Sequence, residues 1–255
     1  MASWALVTGA TSGIGESFTR LLAENNYNIV LVARDLPRLQ ERAQGLQKKF
    51  KVETLVIQAD LSTDAGCSAV EQYIAKNQID VLINNAGFGL NKAFTMSGLD
   101  TEQQMLDVLV RTPMRLMHVA LPQMKQRNKG VVINVSSVAG FIAGGTYSAS
   151  KSYLTVLSES LHTELSGTNI KISALCPGFT RTEFHQRGRM SMKGLPSFMW
   201  LDSDKLVAKS WSDALKGKAV SIPGWQYQLL VFVIQTLPRS IIRKVGMNLR
   251  AKQRK

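Results

Sequence analysis

The chain is expected to fold as a single α/β domain, a doubly wound parallel sheet of about seven strands with helices on both faces. Three observations predict this. Its 255 residues suffice for one large core without demanding a second domain. Short β-rich runs alternate with helix-length segments, the pattern that right-handed βαβ crossovers leave in a sequence. The candidate strands are nearly continuous apolar runs, as expected for strands covered on both faces. Composition agrees, with 45% hydrophobic and 19% charged residues and no repeat or low-complexity stretch.

The strands are expected at 5–8, 28–33, 54–58, 81–83, 131–135, 171–175 and 219–222, with helices such as 14–25 and 37–50 between them. The first strand runs into Thr8-Gly9-Ala10-Thr11-Ser12-Gly13-Ile14-Gly15. Gly9 permits the tight turn, Gly13 lets backbone approach a pyrophosphate, and Gly15 lets the helix pack on the strand. The helix N-terminus then offers unpaired N–H groups and a positive dipole to phosphates. Gly9, Thr11, Ser12, Gly13, Ile14 and Gly15 are therefore expected around a dinucleotide.

The second strand ends in Ala33-Arg34. A carboxylate there would bind a ribose 2′-hydroxyl; the Arg34 guanidinium instead suits a 2′-phosphate, so NADP(H) is the expected cofactor. Asp35 is assigned as the N-cap of the next helix, with Pro37 in its first turn. After the fifth strand come Ser136-Ser137. Tyr147 then opens a helix expected to run to about residue 165, with Lys151 four residues on and on the same face. The Lys151 ammonium is expected to favour the phenolate and lower the Tyr147 pKa, making it an acid–base group for a carbonyl or alcohol.

In order, TGxxxGxG, Asp60-Leu61, Asn84-Asn85-Ala86-Gly87, Tyr147-Ser148-Ala149-Ser150-Lys151 and Pro177-Gly178-Phe179-Thr180-Arg181-Thr182 resemble the motifs of the short-chain dehydrogenase/reductase family over nearly the whole chain. The resemblance implies a Rossmann-like fold and hydride transfer between a nicotinamide and a carbonyl or alcohol. It assigns Asp60 and Leu61 to the adenine and adds Asn85, Ala86, Gly87, Pro177, Gly178, Thr180 and Thr182 to the cofactor contacts. Lys151 gains the nicotinamide ribose hydroxyls. Ser137, followed by Val138-Ala139-Gly140, matches the family's catalytic serine better than Ser136 does, behind a shorter serine-to-tyrosine loop. It would orient the substrate oxygen toward Tyr147. The family's usual asparagine before the fifth strand is replaced by Leu109, in Asp107-Val108-Leu109-Val110-Arg111-Thr112-Pro113. Leucine has no polar side chain to offer a proton relay.

On this reading residues 1–183 hold the cofactor-binding and catalytic core, 184–203 form a substrate-loop insertion, and 239–255 form a basic tail. The pocket is expected to be walled by Phe88, Leu90, Phe141, Ile142, Phe179, Phe184 and parts of 190–201. That favours a lipophilic ketone, aldehyde or acyl thioester over a sugar. Arg181, Arg187, Arg189 and Lys193 lie at the same rim, either as a solvated face or to meet an acidic carrier. His118, His162 and His185 show no ligand spacing, so no metal is expected.

The net charge is +13, but seven of those charges come from the last seventeen residues, which contain no acid. Trp225, Leu229, Phe232 and Val233 recur at helical spacing just before them. This segment could lie on an anionic membrane surface, or pack on the body or on another subunit. Nucleic acid is not expected, since no aromatics interleave with the charge. No signal peptide is expected, and Cys67 and Cys176 are expected to be reduced and buried in a cytoplasmic protein. A homo-dimer or homo-tetramer is the family default. The competing readings are a non-catalytic NADP-binding sensor or scaffold, and a peripheral membrane protein acting through its tail.

Overall fold

Seven strands form one parallel sheet in the order β3-β2-β1-β4-β5-β6-β7 in the computed structural model, which describes residues 3–90, 92–184, 188 and 196–243. The strands are β1 (Trp4–Thr8), β2 (Asn28–Ala33), β3 (Thr54–Gln58), β4 (Val81–Asn84), β5 (Gly130–Val135), β6 (Ile170–Leu175) and β7 (Val220–Ser221). Each expected strand is present. The last shrinks to two residues because only Val220 and Ser221 pair, with Ala174 and Leu175.

Side chains of successive strand residues point to opposite faces, and this alternation builds two cores. Ala5, Val7, Ile29, Leu31, Val81 and Ile83 meet α1 (Gly13–Glu24), α2 (Leu36–Phe50) and α7 (Ser203–Leu215) on one side. Leu6, Val30, Val32, Leu82 and Val132 meet α3 (Asp64–Lys76), α5 (Thr112–Arg127) and α6 (Thr146–Glu164) on the other. Burying each such aliphatic side chain contributes about 1.5–3 kcal/mol. Strand order reverses between β1 and β4, which opens a crevice at their carboxyl ends, the place where open α/β sheets bind ligands.

Two local features shape that crevice. Asp35 caps α2, its side chain accepting from the Arg38 N–H at 3.1 Å, with proline in the first turn, as expected. Between α4 (Leu99–Leu106) and α5, residues Asp107–Arg111 widen into a π turn. Pro113 has no N–H for the carbonyl four residues earlier, that of Leu109, so the regular ladder breaks there. The Thr112 N–H reaches back five residues to the Asp107 carbonyl.

The last helix among the described residues, α8 (Trp225–Thr236), packs one face on the body and exposes another. Its packed face is Tyr227, Val231 and Ile234, while Trp225, Leu229, Phe232 and Val233 are exposed. The helical stripe read from the sequence is the solvent side of a segment that is apolar on both faces. Among the described residues no helix is long and apolar enough to cross a membrane. Residues 244–255 of the tail, including Lys244, Arg250, Lys252, Arg254 and Lys255, lie outside the described residues, as do His185, Arg187, Arg189 and Lys193.

Candidate active site

The β1–α1 turn is built to bring backbone close to a ligand. Gly9 has φ +66°, and a Cβ there would come within 2.8 Å of the Asn85 amide nitrogen. A Cβ on Gly15 would lie 2.2 Å from the Gly9 carbonyl oxygen. Ser12 precedes α1 in extended conformation with no side-chain cap, which leaves the first-turn N–H groups to other acceptors. Thr8, not singled out from the sequence, ties the crevice together. Its hydroxyl accepts from the Asn85 and Ala86 N–H groups at 2.9 and 3.0 Å and donates to the Ile83 carbonyl at 3.3 Å. Asn85 in turn donates to the Thr8 and Gly9 carbonyls.

Arg34 is exposed at the end of β2. Arg38, one turn into α2, pairs instead with Glu183 at 3.0 Å. Asp60 is partly desolvated, which alone would raise its pKa. Two hydrogen bonds from Ser62 and the field of Arg34 outweigh this and hold the carboxyl below its usual range. Leu61 turns its side chain into the core, leaving only backbone for a nucleotide. Thr182 lies against Gly13, where a Cβ would approach its methyl to 2.8 Å. Thr180 is buried, its hydroxyl donating to the Gly178 carbonyl, and the Pro177 carbonyl accepts from the Val138 N–H. The two glycine-bearing loops therefore face each other across the crevice, and their shape fits a dinucleotide.

Beside them, β5 delivers Ser136 and Ser137. Ser136 is buried and committed to the Lys151 carbonyl and the Thr155 hydroxyl, both at 2.7 Å. Ser137 is half-buried, accepts from the Ala139 N–H, and lies near enough to the Tyr147 phenol to pull its pKa down. A one-turn helix, Val138–Phe141, then packs on α6, which begins after Gly145 at φ +82°, a conformation that needs glycine. Lys151 is buried, its ammonium donating to the Val135 carbonyl at 2.6 Å, and lies 5.7 Å from the Tyr147 ring centroid. Ser137, Tyr147 and Lys151 thus share one end of the crevice.

One electrostatic expectation fails. Burial pushes the Tyr147 phenol up to about 12, with only the Ser137 hydrogen bond pulling it back. Burial likewise brings Lys151 down to about 8. The Lys151 ammonium, 5.7 Å from the ring centroid, gives its hydrogen bond to the Val135 carbonyl, and the burial of the phenol sets the direction of the shift. The protein groups alone leave Tyr147 a neutral phenol, a proton donor, at neutral pH.

The expected apolar walls are partly assembled. Phe184 packs on Tyr147 with ring centroids 5.9 Å apart, and Phe179 packs on Trp200 at 6.2 Å. The loop carrying Phe179 is anchored by Tyr227, a residue the sequence did not single out. Its hydroxyl accepts from the Phe179 N–H at 2.9 Å and donates to the Met199 carbonyl at 2.6 Å, and its ring fills the space beside Gly178. Cys67 and Cys176 are buried free thiols, as expected.

A family model described as short chain dehydrogenase matches residues 3–192. The very-long-chain 3-oxoacyl-CoA reductase of Rattus norvegicus is 32% identical over 190 residues, covering 72% of this chain and 61% of that protein. The chain therefore matches less than two thirds of that relative's length. A short-chain dehydrogenase from Sphingobium yanoikuyae in complex with NADPH superimposes with a TM-score of 0.84 at 30% identity, covering 91% of this chain and 93% of that one. A bulky-bulky ketone specific alcohol dehydrogenase from Comamonas testosteroni gives a TM-score of 0.78 at 29% identity, covering 93% and 96%.

Proposed function

The chain belongs to the short-chain dehydrogenase family, and from that premise we propose that it is an NADP(H)-dependent oxidoreductase that reduces a lipophilic ketone, aldehyde or 3-oxoacyl thioester. The observation that carries this is the convergence of Ser137, Tyr147 and Lys151 at one end of a crevice whose other walls are glycine loops. Bound NADPH would supply the hydride. Ser137 holds the substrate oxygen and Tyr147, protonated at neutral pH, gives its proton to the oxygen as negative charge develops there. Lys151 holds the nicotinamide ribose. Gly9, Thr11, Ser12, Gly13, Ile14, Gly15, Asp60, Leu61, Asn85, Ala86, Gly87, Pro177, Gly178, Thr180 and Thr182 line the remainder of the cofactor's path. Arg34 selects the 2′-phosphate, since its neighbour Arg38 is occupied by Glu183.

The aromatic lining of Phe179, Trp200 and Phe184 supports an apolar substrate; residues 185–187 and 189–195 of the expected substrate-loop insertion 184–203 lie outside the described residues. The names of the rat and Comamonas relatives point the same way. Buried free cysteines fit a cytoplasmic location. A homo-dimer or homo-tetramer is the assembly to look for. The test is NADPH oxidation against a panel of lipophilic ketones, aldehydes and 3-oxoacyl thioesters. Tyr147→Phe is expected to lower the rate about 10²–10⁴-fold. Wild type no faster than the variant on every compound would leave a non-catalytic NADP sensor as the better reading.

A second reading rests on α8. Trp225 is 71% and Phe232 65% exposed on a face shared with Leu229 and Val233, followed by the exposed Arg239 and Arg243. An apolar face beside cations suits an anionic membrane surface. Flotation with anionic vesicles is expected to carry the full chain, and to weaken on removal of residues 239–255; equal binding would exclude a role for the tail.

A further inference from the structure

Three successive residues after the Pro177-Gly178 loop touch three different walls of the crevice. Thr182 lies on the N-terminus of α1, its methyl 2.8 Å from the place a Cβ on Gly13 would take. Glu183 reaches across to α2 and accepts from both ends of the Arg38 guanidinium, Nη1 to Oε2 at 3.0 Å and Nη2 to Oε1 at 3.3 Å. Phe184 packs on the Tyr147 ring, and its N–H donates to Thr182 Oγ1 at 3.4 Å.

The ion pair joins positions 145 residues apart in the chain. Both side chains are more than a third exposed, and pairs so placed add little to folding. Nor is the pair needed to seat α2. Arg42, one turn further along, already reaches Glu16 of α1 at 3.4 Å, and α1 and α2 share a buried core. What Glu183 adds is a tie between the segment 182–184 and the first turn of α2. The two-pronged contact fixes the direction of both side chains, as a single bond would not. Asp35, the α2 cap, stands 4.0 Å from Arg38 Nε and steadies the guanidinium from behind. The tie spans the interval between Gly13 and Arg34. On the functional reading above, that interval receives the pyrophosphate at one end and the 2′-phosphate at the other.

We propose that Arg38 and Glu183 are positioning residues for the bound cofactor, a clasp that holds the segment 182–184 across the path from Gly13 to Arg34 and slows the release of NADP(H). This rests on the NADP(H) reading above. The clasp acts through the chain it holds in place and not through its charge on the phosphates. A carboxylate acting by charge alone would repel phosphates and speed their departure, so its neutralisation would slow release. A carboxylate acting as a clasp does the opposite, and its neutralisation speeds release. The two roles therefore differ in sign at Glu183.

Stopped-flow displacement of NADPH from the full chain, followed by its fluorescence, tests this without a substrate. Glu183→Gln is expected to release NADPH about two- to fivefold faster, the range for losing an exposed ion pair. Arg38→Gln should do the same, and the double variant should be no faster than either single one. Arg38→Glu combined with Glu183→Arg should release NADPH more slowly than Arg38→Glu alone, because the pair is restored in reverse. Unchanged or slower release in Glu183→Gln overturns the clasp. Effects that add in the double variant also overturn it, since the two groups would then act separately. Glu183→Gln is expected to melt within about 4 °C of wild type; a larger fall would make the pair part of the fold and overturn its assignment to the cofactor. Wild type that binds no NADPH overturns the clasp and the NADP(H) reading together, whereas tight binding with unaltered release overturns the clasp alone.

Discussion

Tyr227→Phe isolates one hydroxyl that holds the Pro177-Gly178 loop to the C-terminal helix. The change keeps the ring beside Gly178 and removes only the oxygen. That oxygen serves two backbone groups, the Phe179 N–H at 2.9 Å and the Met199 carbonyl at 2.6 Å. Losing this hydroxyl costs each group about 1–3 kcal/mol, toward the low end because Phe179 and Met199 are both half-buried. The sum is about 2–4 kcal/mol. For a chain of this size each kcal/mol lowers Tm by about 2–4 °C, so a fall of roughly 4–15 °C is expected by calorimetry or circular dichroism. The loop also faces Gly13 through Thr182, so NADPH affinity, read by fluorescence titration, should weaken alongside. A variant within 1 °C of wild type, or about that, with unchanged NADPH affinity would refute the anchoring role. A double-mutant cycle sharpens the test. A methyl at Gly178 would stand 2.0–2.3 Å from the Tyr227 ring atoms. Gly178→Ala should therefore destabilise strongly alone and much less in a Tyr227→Leu background.

Two further outcomes are expected. On the proposed cofactor assignment, Arg34→Asp would replace a charge-assisted bond to the 2′-phosphate, worth about 1.5–3 kcal/mol, with repulsion; calorimetric titration should show NADPH weakened roughly ten- to hundredfold or more while NADH is spared, and an unchanged preference would remove Arg34 from the cofactor assignment. Lys151 has a folded-state pKa of about 8, below its ordinary 10.5, so from pH 8 upward the unfolded chain binds the extra proton and this group's contribution to stability rises with pH. Denaturant melts of wild type and Lys151→Met from pH 7 to 10 should diverge in favour of wild type by up to about 1.4 kcal/mol per pH unit; parallel curves would mean the lysine is not desolvated.

The sheet was readable in the sequence because parallel strands buried on both faces leave apolar runs that little else imitates. The glycine turn after β1 was readable because glycine spacing is a backbone requirement. Asp35 capped α2 as expected because capping is local. What escaped depends on contacts distant along the chain. Tyr227 meets Phe179 from 48 residues away, and Asn84 meets Asn134 from 50, so no local pattern marks either pair. The Tyr147 pKa was misjudged for a related reason. Spacing puts Lys151 on the right face but cannot report the Val135 carbonyl that accepts its hydrogen bond, nor the burial that outweighs the charge. On α8, periodicity found an apolar stripe but could not say which of two apolar faces would meet the body.

Tyr227 also sets an order of events during synthesis. A chain emerging from the ribosome can pair β1 through β6 and make the glycine turn well before its end is translated. The Phe179 N–H and the Met199 carbonyl gain their shared partner only once Tyr227 has been added, 48 residues after Phe179. Until then the crevice has a fixed floor and an unsecured rim. A chain ending before Tyr227 would therefore carry Ser137, Tyr147 and Lys151 and still leave the Phe179 loop unanchored.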